Sequence, residues 1–153
     1  PRFFISIGGG GARNFSRLSS AVPWGGYADL RFDASLAERF NLSHFIAGDL
    51  LLCRYSHGKN ALFGSVLSAV YSAGHRFSPA FPFVSVFAGP GLFRIDDSKS
   101  AAWKITPAVS ADAGVRFTTD RFTVAPSFRV LYANDREAPL ISTAFLLCAG
   151  FSW

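Results

Sequence analysis

The segment Thr143–Trp153 (TAFLLCAGFSW) limits what this chain can fold into more sharply than any other part of it. Phe145, Leu147, Ala149, Phe151 and Trp153 form one bulky apolar face, and Ala144, Leu146, Cys148, Gly150 and Ser152 form a second, mostly small one. A period of two is the signature of a β-strand, whose side chains point alternately to opposite faces. An aromatic-tipped apolar strand makes a poor soluble edge, because it recruits other strands. It suits a strand whose apolar face meets lipid and whose end reaches the aromatic layer at a membrane surface.

The same alternation recurs along the chain, with turn residues between the runs. Strands are expected near residues 2–12, 27–36, 42–55, 61–73, 81–94, 102–117, 122–132 and 139–153. In the second, Ala28, Leu30, Phe32, Ala34 and Leu36 alternate with Tyr27, Asp29, Arg31, Asp33 and Ser35. The fourth (ALFGSVLSAVYSA) also tolerates a helical reading. Connections near 13–24, 56–60, 95–101 and 133–138 join one set of strand ends, and those near 38–41, 74–80 and 118–121 the other. The second of the latter set (GHRFSPAFP) is long for a hairpin turn. Nothing breaks the composition, so residues 1–153 read as one domain.

Charged residues make up 16% of the chain, below the ~25% of ordinary soluble domains. Only three Lys and two Glu are present, too few to coat a water-facing surface, while seventeen Phe must be placed somewhere. No run approaches the ~20 apolar residues of a membrane-spanning helix. With no Met and no basic leader before an apolar run, the expectation is that a signal peptide was removed ahead of Pro1. The net charge of +5 is scattered over turns and strand interiors, not clustered on one element as a nucleic-acid binder requires.

Alternation alone also fits a soluble barrel with an apolar cavity. Here, however, the second face is small or singly charged, which fills a narrow lumen and would solubilise an exterior poorly. Aromatics gather at the strand ends. Trp24, Tyr55, Phe63, Trp103 and Tyr132 are expected at one rim, and Phe3, Phe81, Phe117, Phe122, Phe151 and Trp153 at the other. Strands cross lipid only when closure removes their unpaired edges. The fold class is therefore all-β, an eight-stranded antiparallel up-and-down transmembrane β-barrel.

The runs PFVSVFAGPGLFRI, KITPAVSADAGVRF and RFTVAPSFRVLY, with the aromatic terminus, resemble the small eight-stranded OmpA/OmpX/OmpW-type outer-membrane barrels. The resemblance implies location in the bacterial outer membrane, contact with its lipid, and delivery by the barrel-assembly machinery. Phe151 and Trp153 would serve as the barrel-closing signal. The family often carries Gly five residues before the last aromatic, where this chain has Cys148.

Seven charges take the lumen phase: Asp29, Arg31, Asp33, Asp49, Asp112, Arg116 and Arg129. Charges within a membrane protein are costly and usually pair. They are expected to form a self-neutralising network in a lumen just wide enough for side chains, and a gate or ion path is the other use of such a set. Arg13, Arg17, Arg54, Lys59, Arg94, Lys99 and Arg136 form a basic outer rim, fit for lipid phosphates or a polyanion.

Some barrels of this type modify lipid A, and the resemblance to their deacylases would need a His–x–Ser–Asn pattern late in the barrel. The comparable stretch, Arg129 to Asn134, has neither His nor Ser. Ser56 and His57 adjoin, but neighbours in a strand point apart. His44, His57 and His75 show no metal spacing. Gly8–Gly11 lacks the helix and Lys of a phosphate cradle. Cys53 and Cys148 are placed near opposite ends of the barrel, too far apart for a disulfide.

The expectation is a monomeric, non-enzymatic outer-membrane barrel with a polar, plugged lumen. Its role would be structural or porin-like, with no cofactor or metal. A surface adhesion protein and a lipid A-modifying enzyme are the alternatives.

Overall fold

The computed structural model describes residues 2–77, 79–96, 101–134 and 139–153. Eight strands follow one another: β1 (Phe3–Asn14), β2 (Trp24–Arg39), β3 (Leu42–His57), β4 (Asn60–His75), β5 (Ala80–Asp96), β6 (Ala101–Thr119), β7 (Phe122–Ala133) and β8 (Leu140–Ser152). Each pairs antiparallel with the next, and β8 pairs with β1, so the sheet is a closed barrel. The alternating segment 61–73 lies within β4, whose buried and exposed residues alternate. Tertiary pairing on both sides overrides its tolerance for helix.

Three hairpins are tighter than the sequence implies. Arg39 pairs with Leu42, leaving Phe40 and Asn41 as the turn, both with left-handed φ (55° and 61°). That is the geometry whose twist suits a two-residue hairpin. His57 pairs with Asn60 around Gly58 (φ 59°), so the expected connection at 56–60 shrinks to Gly58 and Lys59. Thr119 pairs with Phe122 around Asp120 (φ 49°). The long connection expected at 74–80 is also shortened. His75 ends β4 opposite Leu42, and Phe77 bridges to Ala80. His75 is thus a strand residue, its Nδ1 beside the Asn41 carbonyl.

The β1–β2 connection lies at the same end as the β3–β4 turn and runs through a short 3₁₀ turn, Arg17–Ser20. The β4–β5 ladder passes from Val66↔Gly91 to Ala69↔Ala88. Pro90 lies in that gap, without an N–H to donate.

The exterior is apolar. Ile7, Leu30, Ile46, Val84, Ile105, Phe145 and Leu147 are all exposed, as the phase predicted, and so is Leu67 on β4. Closed pairing inside and apolar side chains outside are what a lipid-spanning sheet needs.

Two of the expected rim aromatics turn inward instead. Tyr55 is fully buried, with its hydroxyl at Tyr27 and Ser142. Phe81 sits edge-on to buried Phe45. Both share the phase of the inward residues of their strands. Position near a strand end had suggested the rim, but side-chain phase decides. Trp24, Trp103 and Tyr132 face out at the loop end, as do Phe117, Phe122, Phe151 and Trp153 at the turn end.

Gly10 and Gly11 test the phase within β1. A Cβ on Gly10 would strike the backbone of Phe145 and Leu146, whereas one on Gly11 would meet nothing within 4 Å. Gly10→Ala should therefore destabilise the barrel by about 1–3 kcal/mol, the usual penalty of overpacking. Gly11→Ala should be near neutral. Urea unfolding of the two variants in lipid vesicles checks this, and equal midpoints would refute the packing of β1 on β8.

Candidate functional site

The lumen holds two stacked regions. Towards the loop end lies an apolar cluster that includes Tyr27, Leu51, Tyr55, Leu62, Val66, Leu131 and Leu146. This corrects the expectation of a uniformly polar lumen. Large aliphatic residues take the inward phase on β3, β4, β7 and β8, and together they fill the bore. The Tyr55 hydroxyl, donating to the Tyr27 oxygen (3.0 Å) and lying against Ser142, braces β2, β3 and β8 across it.

The seven lumen charges gather below this cluster, and all are buried. Arg129 on β7 is the hub. Its Nη2 donates to Asp29 Oδ2 (2.9 Å) and Asp112 Oδ2 (3.3 Å), and its Nη1 to Asp49 Oδ2 (3.3 Å). One guanidinium thereby ties β2, β3, β6 and β7 together. Arg31 forms a second centre. Its Nε and Nη2 both donate to Asp33, at distances from 2.7 to 3.1 Å. Nη2 also reaches Ser72 on β4, and Ser72 donates to Ser85 on β5 at 2.8 Å. Arg31 Nη1 lies 3.9 Å from Asp112, which joins the two centres.

Arg116 is held more loosely, with Nη2 3.7 Å from Asp33 Oδ1. Its other support is aromatic. Its guanidinium lies over Phe4 (4.8 Å), Phe45 (5.5 Å) and Phe83 (5.6 Å), and Phe87 carries Arg129 at 4.1 Å. Cation–π attraction strengthens where water is excluded. These phenylalanines were not singled out in the sequence, although strict counting of inward positions in PFVSVFAGPGLF selects Phe83 and Phe87. The aromatic bed lines the guanidiniums of the ion cluster with apolar surface.

Satisfaction is incomplete. Asp49 Oδ1, Asp112 Oδ1, Arg116 Nη1 and Arg129 Nε have no hydrogen-bond partner among the described residues. A cavity of about 20 Å³ beside Arg116, Ser6, Thr123 and Cys148 has room for one water molecule.

Both cysteines are free; Cys148 borders the network, and Cys53 lies in the apolar cluster above it. Cys148 Sγ lies 3.6 Å from Asp29 Oδ1, and Cys53 is paired with Tyr27, two residues along β2 from Asp29. They are therefore not near opposite ends, as the sequence had implied. The strand stagger of the closed barrel brings β8 and β3 positions to similar levels.

Along the outer rim, Arg13 lies over Phe15 and Trp24, Arg54 over Phe63, and Arg94 over Trp103, at 5.1 to 5.7 Å. Arg94 also pairs with Asp96 at 2.9 Å. Lys59 is in the β3–β4 turn, and Arg17 is in the 3₁₀ turn. Lys99 and Arg136 lie outside the described residues.

No histidine is placed to activate a nucleophile among the described residues. His44 Nδ1 is 2.6 Å from the Tyr71 hydroxyl, and Ser56 and His57 are both exposed at the end of β3. No group of His, Cys, Asp and Glu among the described residues could hold a metal ion.

The sequence matches no protein-family profile and no curated protein. Its structure matches solved ones over nearly its whole length. Neisserial surface protein A (NspA) superposes with a TM-score of 0.75 at 13% identity, covering 97% of this chain and 96% of that one. The fold is that of the small eight-stranded outer-membrane β-barrels. Ail, the attachment invasion locus protein of Yersinia pestis, gives a TM-score of 0.66 at 14% identity, covering 99% of this chain and 98% of its own. The outer membrane enzyme PagL gives 0.64 at 12% identity, covering 95% and 97%. One barrel fold thus carries an enzyme as well as surface proteins, and activity must be argued from the site.

Proposed function

We propose that this chain is a monomeric, non-enzymatic integral protein of the bacterial outer membrane. Its barrel is sealed and serves envelope structure, not solute passage. Delivery by the barrel-assembly machinery and embedding in outer-membrane lipid belong to the same reading. The observation that carries it is the double closure of the lumen. An apolar layer around Tyr55 lies over an ion network in which Arg129 contacts three carboxylates at once.

A solute path needs a continuous polar lining, and the apolar layer interrupts it. An ion path needs charges that exchange partners, and these are locked by short contacts and by phenylalanine rings. The histidine surroundings favour a non-enzymatic role. His44 is committed to Tyr71 and His75 to a backbone carbonyl, so neither stands ready to deprotonate a serine.

Planar-bilayer recording tests the reading. Purified protein, shown to be folded by heat-modifiable gel migration, should add no steady conductance over a bare bilayer. A steady, ion-selective conductance in most insertions would overturn the sealed barrel. Lipid A from cells expressing the protein should keep its full acyl pattern, and loss of an acyl chain would restore the enzymatic alternative.

A further inference from the structure

We propose that the lipid-facing groove beneath the loop-end rim, on β2 to β6, binds an acyl chain of a bis-phosphorylated outer-leaflet glycolipid, with Arg54 and Arg94 holding its phosphates. The register places Gly26, Arg54, Phe63, Arg94 and Trp103 in one lateral row over five successive strands. All five share the outward phase. From Arg54 onward the row alternates cation and ring, and each guanidinium lies over the ring that follows it, Arg54 over Phe63 and Arg94 over Trp103.

Stacking fixes a guanidinium in place while leaving its edge N–H groups free to donate. An arginine so held loses less freedom when it binds a phosphate bidentately. Among the described residues Arg54 has no carboxylate partner. Arg94 shares its charge with Asp96, which leaves part of its fork for another anion.

The next row towards the turn end is apolar or small: Ala28, Leu52, Ser65 and Leu92. Gly26 and Ser65 leave a depression between the larger side chains, part of a groove of about 890 Å³ that also touches Arg54, Phe63 and Trp103. A cationic row over an apolar furrow matches a phosphorylated headgroup over an acyl chain.

The arginines choose the occupant. They stand two strands apart, on β3 and β5, so their backbones are separated by roughly 9–10 Å at the usual inter-strand spacing. One phosphodiester cannot engage both forks in parallel, whereas a headgroup with two phosphates can. The assignment rests on the membrane reading above, so its test must separate lipid choice from insertion.

Wild-type protein in detergent micelles would be incubated with lipid A, with dephosphorylated lipid A, or with phosphatidylglycerol, and retained lipid counted by native mass spectrometry. Heat-modifiable migration of each sample reports the barrel independently, and a failure there would indict the membrane reading alone. Wild type should retain lipid A about tenfold more than either comparison lipid. Arg54→Gln with Arg94→Gln should remove that preference while migration stays normal. Ala28→Phe, which fills the furrow and leaves both charges, should lower retention of lipid A without equalising the three lipids. Equal retention of lipid A and phosphatidylglycerol by wild type would overturn the assignment, and so would a preference untouched by the double arginine change.

Discussion

Arg129→Ala should be the most damaging single substitution inside the barrel. The guanidinium is 1% exposed and contacts Asp29, Asp49 and Asp112 at 2.9 to 3.3 Å. Removing one member of a buried ion pair typically costs about 3–5 kcal/mol, because the partner charge stays behind without compensation. Here three carboxylates lose their common donor, but not equally. Asp112 keeps Arg31 at 3.9 Å, whereas Asp49 has no second cation within 4 Å among the described residues. Asp49→Asn should therefore restore more of the lost stability than Asp112→Asn when each is added to Arg129→Ala. Urea midpoints of the four proteins in the same vesicles decide it. A single variant as stable as wild type, or a better rescue by Asp112→Asn, would remove Arg129 from the hub.

That ranking shows where sequence reading ends. The lumen phase of Arg129 is visible in RFTVAPSFRVLY, because a charge opposite Phe128 and Val130 has only one tolerable face. Its neutralisation by carboxylates follows from the cost of burying charge. Which carboxylates it meets does not follow. Arg129 faces Asp112 across the β6–β7 ladder, but it reaches Asp29 and Asp49 across the bore. Those contacts depend on the stagger with which the sheet closes, a global quantity that no single strand encodes.

The same limit hid the outer row. Arg54, Phe63, Arg94 and Trp103 are each expected at the loop-end rim, but only the strand registers set them side by side in one row. The β3–β4 register hangs on a tight turn that Gly58 marks clearly, and the β2–β3 register, which sets Gly26 beside Arg54, on the turn at Phe40 and Asn41. Phe40 gives no such sign, since an aromatic at positive φ is not what turn chemistry leads one to expect.

Other misplacements were avoidable. Tyr55 lies two residues beyond Cys53 and four beyond Leu51, so the inward phase of β3 already claimed it. Its aromatic ring and its place near a strand end point to the rim, but its phase points inward. The inward count, carried to the end of the strand, gives the brace that closes the lumen. The β2 bulge between Ser35 and Ala37 limits how far such counting can be trusted, because there the alternation slips.

The second large effect lies on the outside of the barrel. Leu30 is 48% exposed in the middle of β2 and is flanked by Ile7 on β1 and Leu50 on β3, both also exposed. In a water-soluble protein a charge there would be welcome, and Leu30→Arg would leave stability unchanged or improve it. In a bilayer the same side chain sits far from either interface, and an arginine near the midplane of a transmembrane barrel costs about 2–4 kcal/mol. Val109→Arg on β6 should behave alike, since Val109 is 50% exposed and is paired with Ala88 and Tyr132. Ser127→Thr is the matching interior change. It adds one methyl to the lumen beside Gly114, which has no side chain to collide with it. Folding yield into lipid vesicles, read as the fraction that migrates in the heat-modifiable form, should fall steeply for the two arginine variants and stay near wild type for Ser127→Thr. If all three folded with the same yield, the apolar face could not be the one in contact with lipid. The charge network would then have to be explained as part of a soluble barrel.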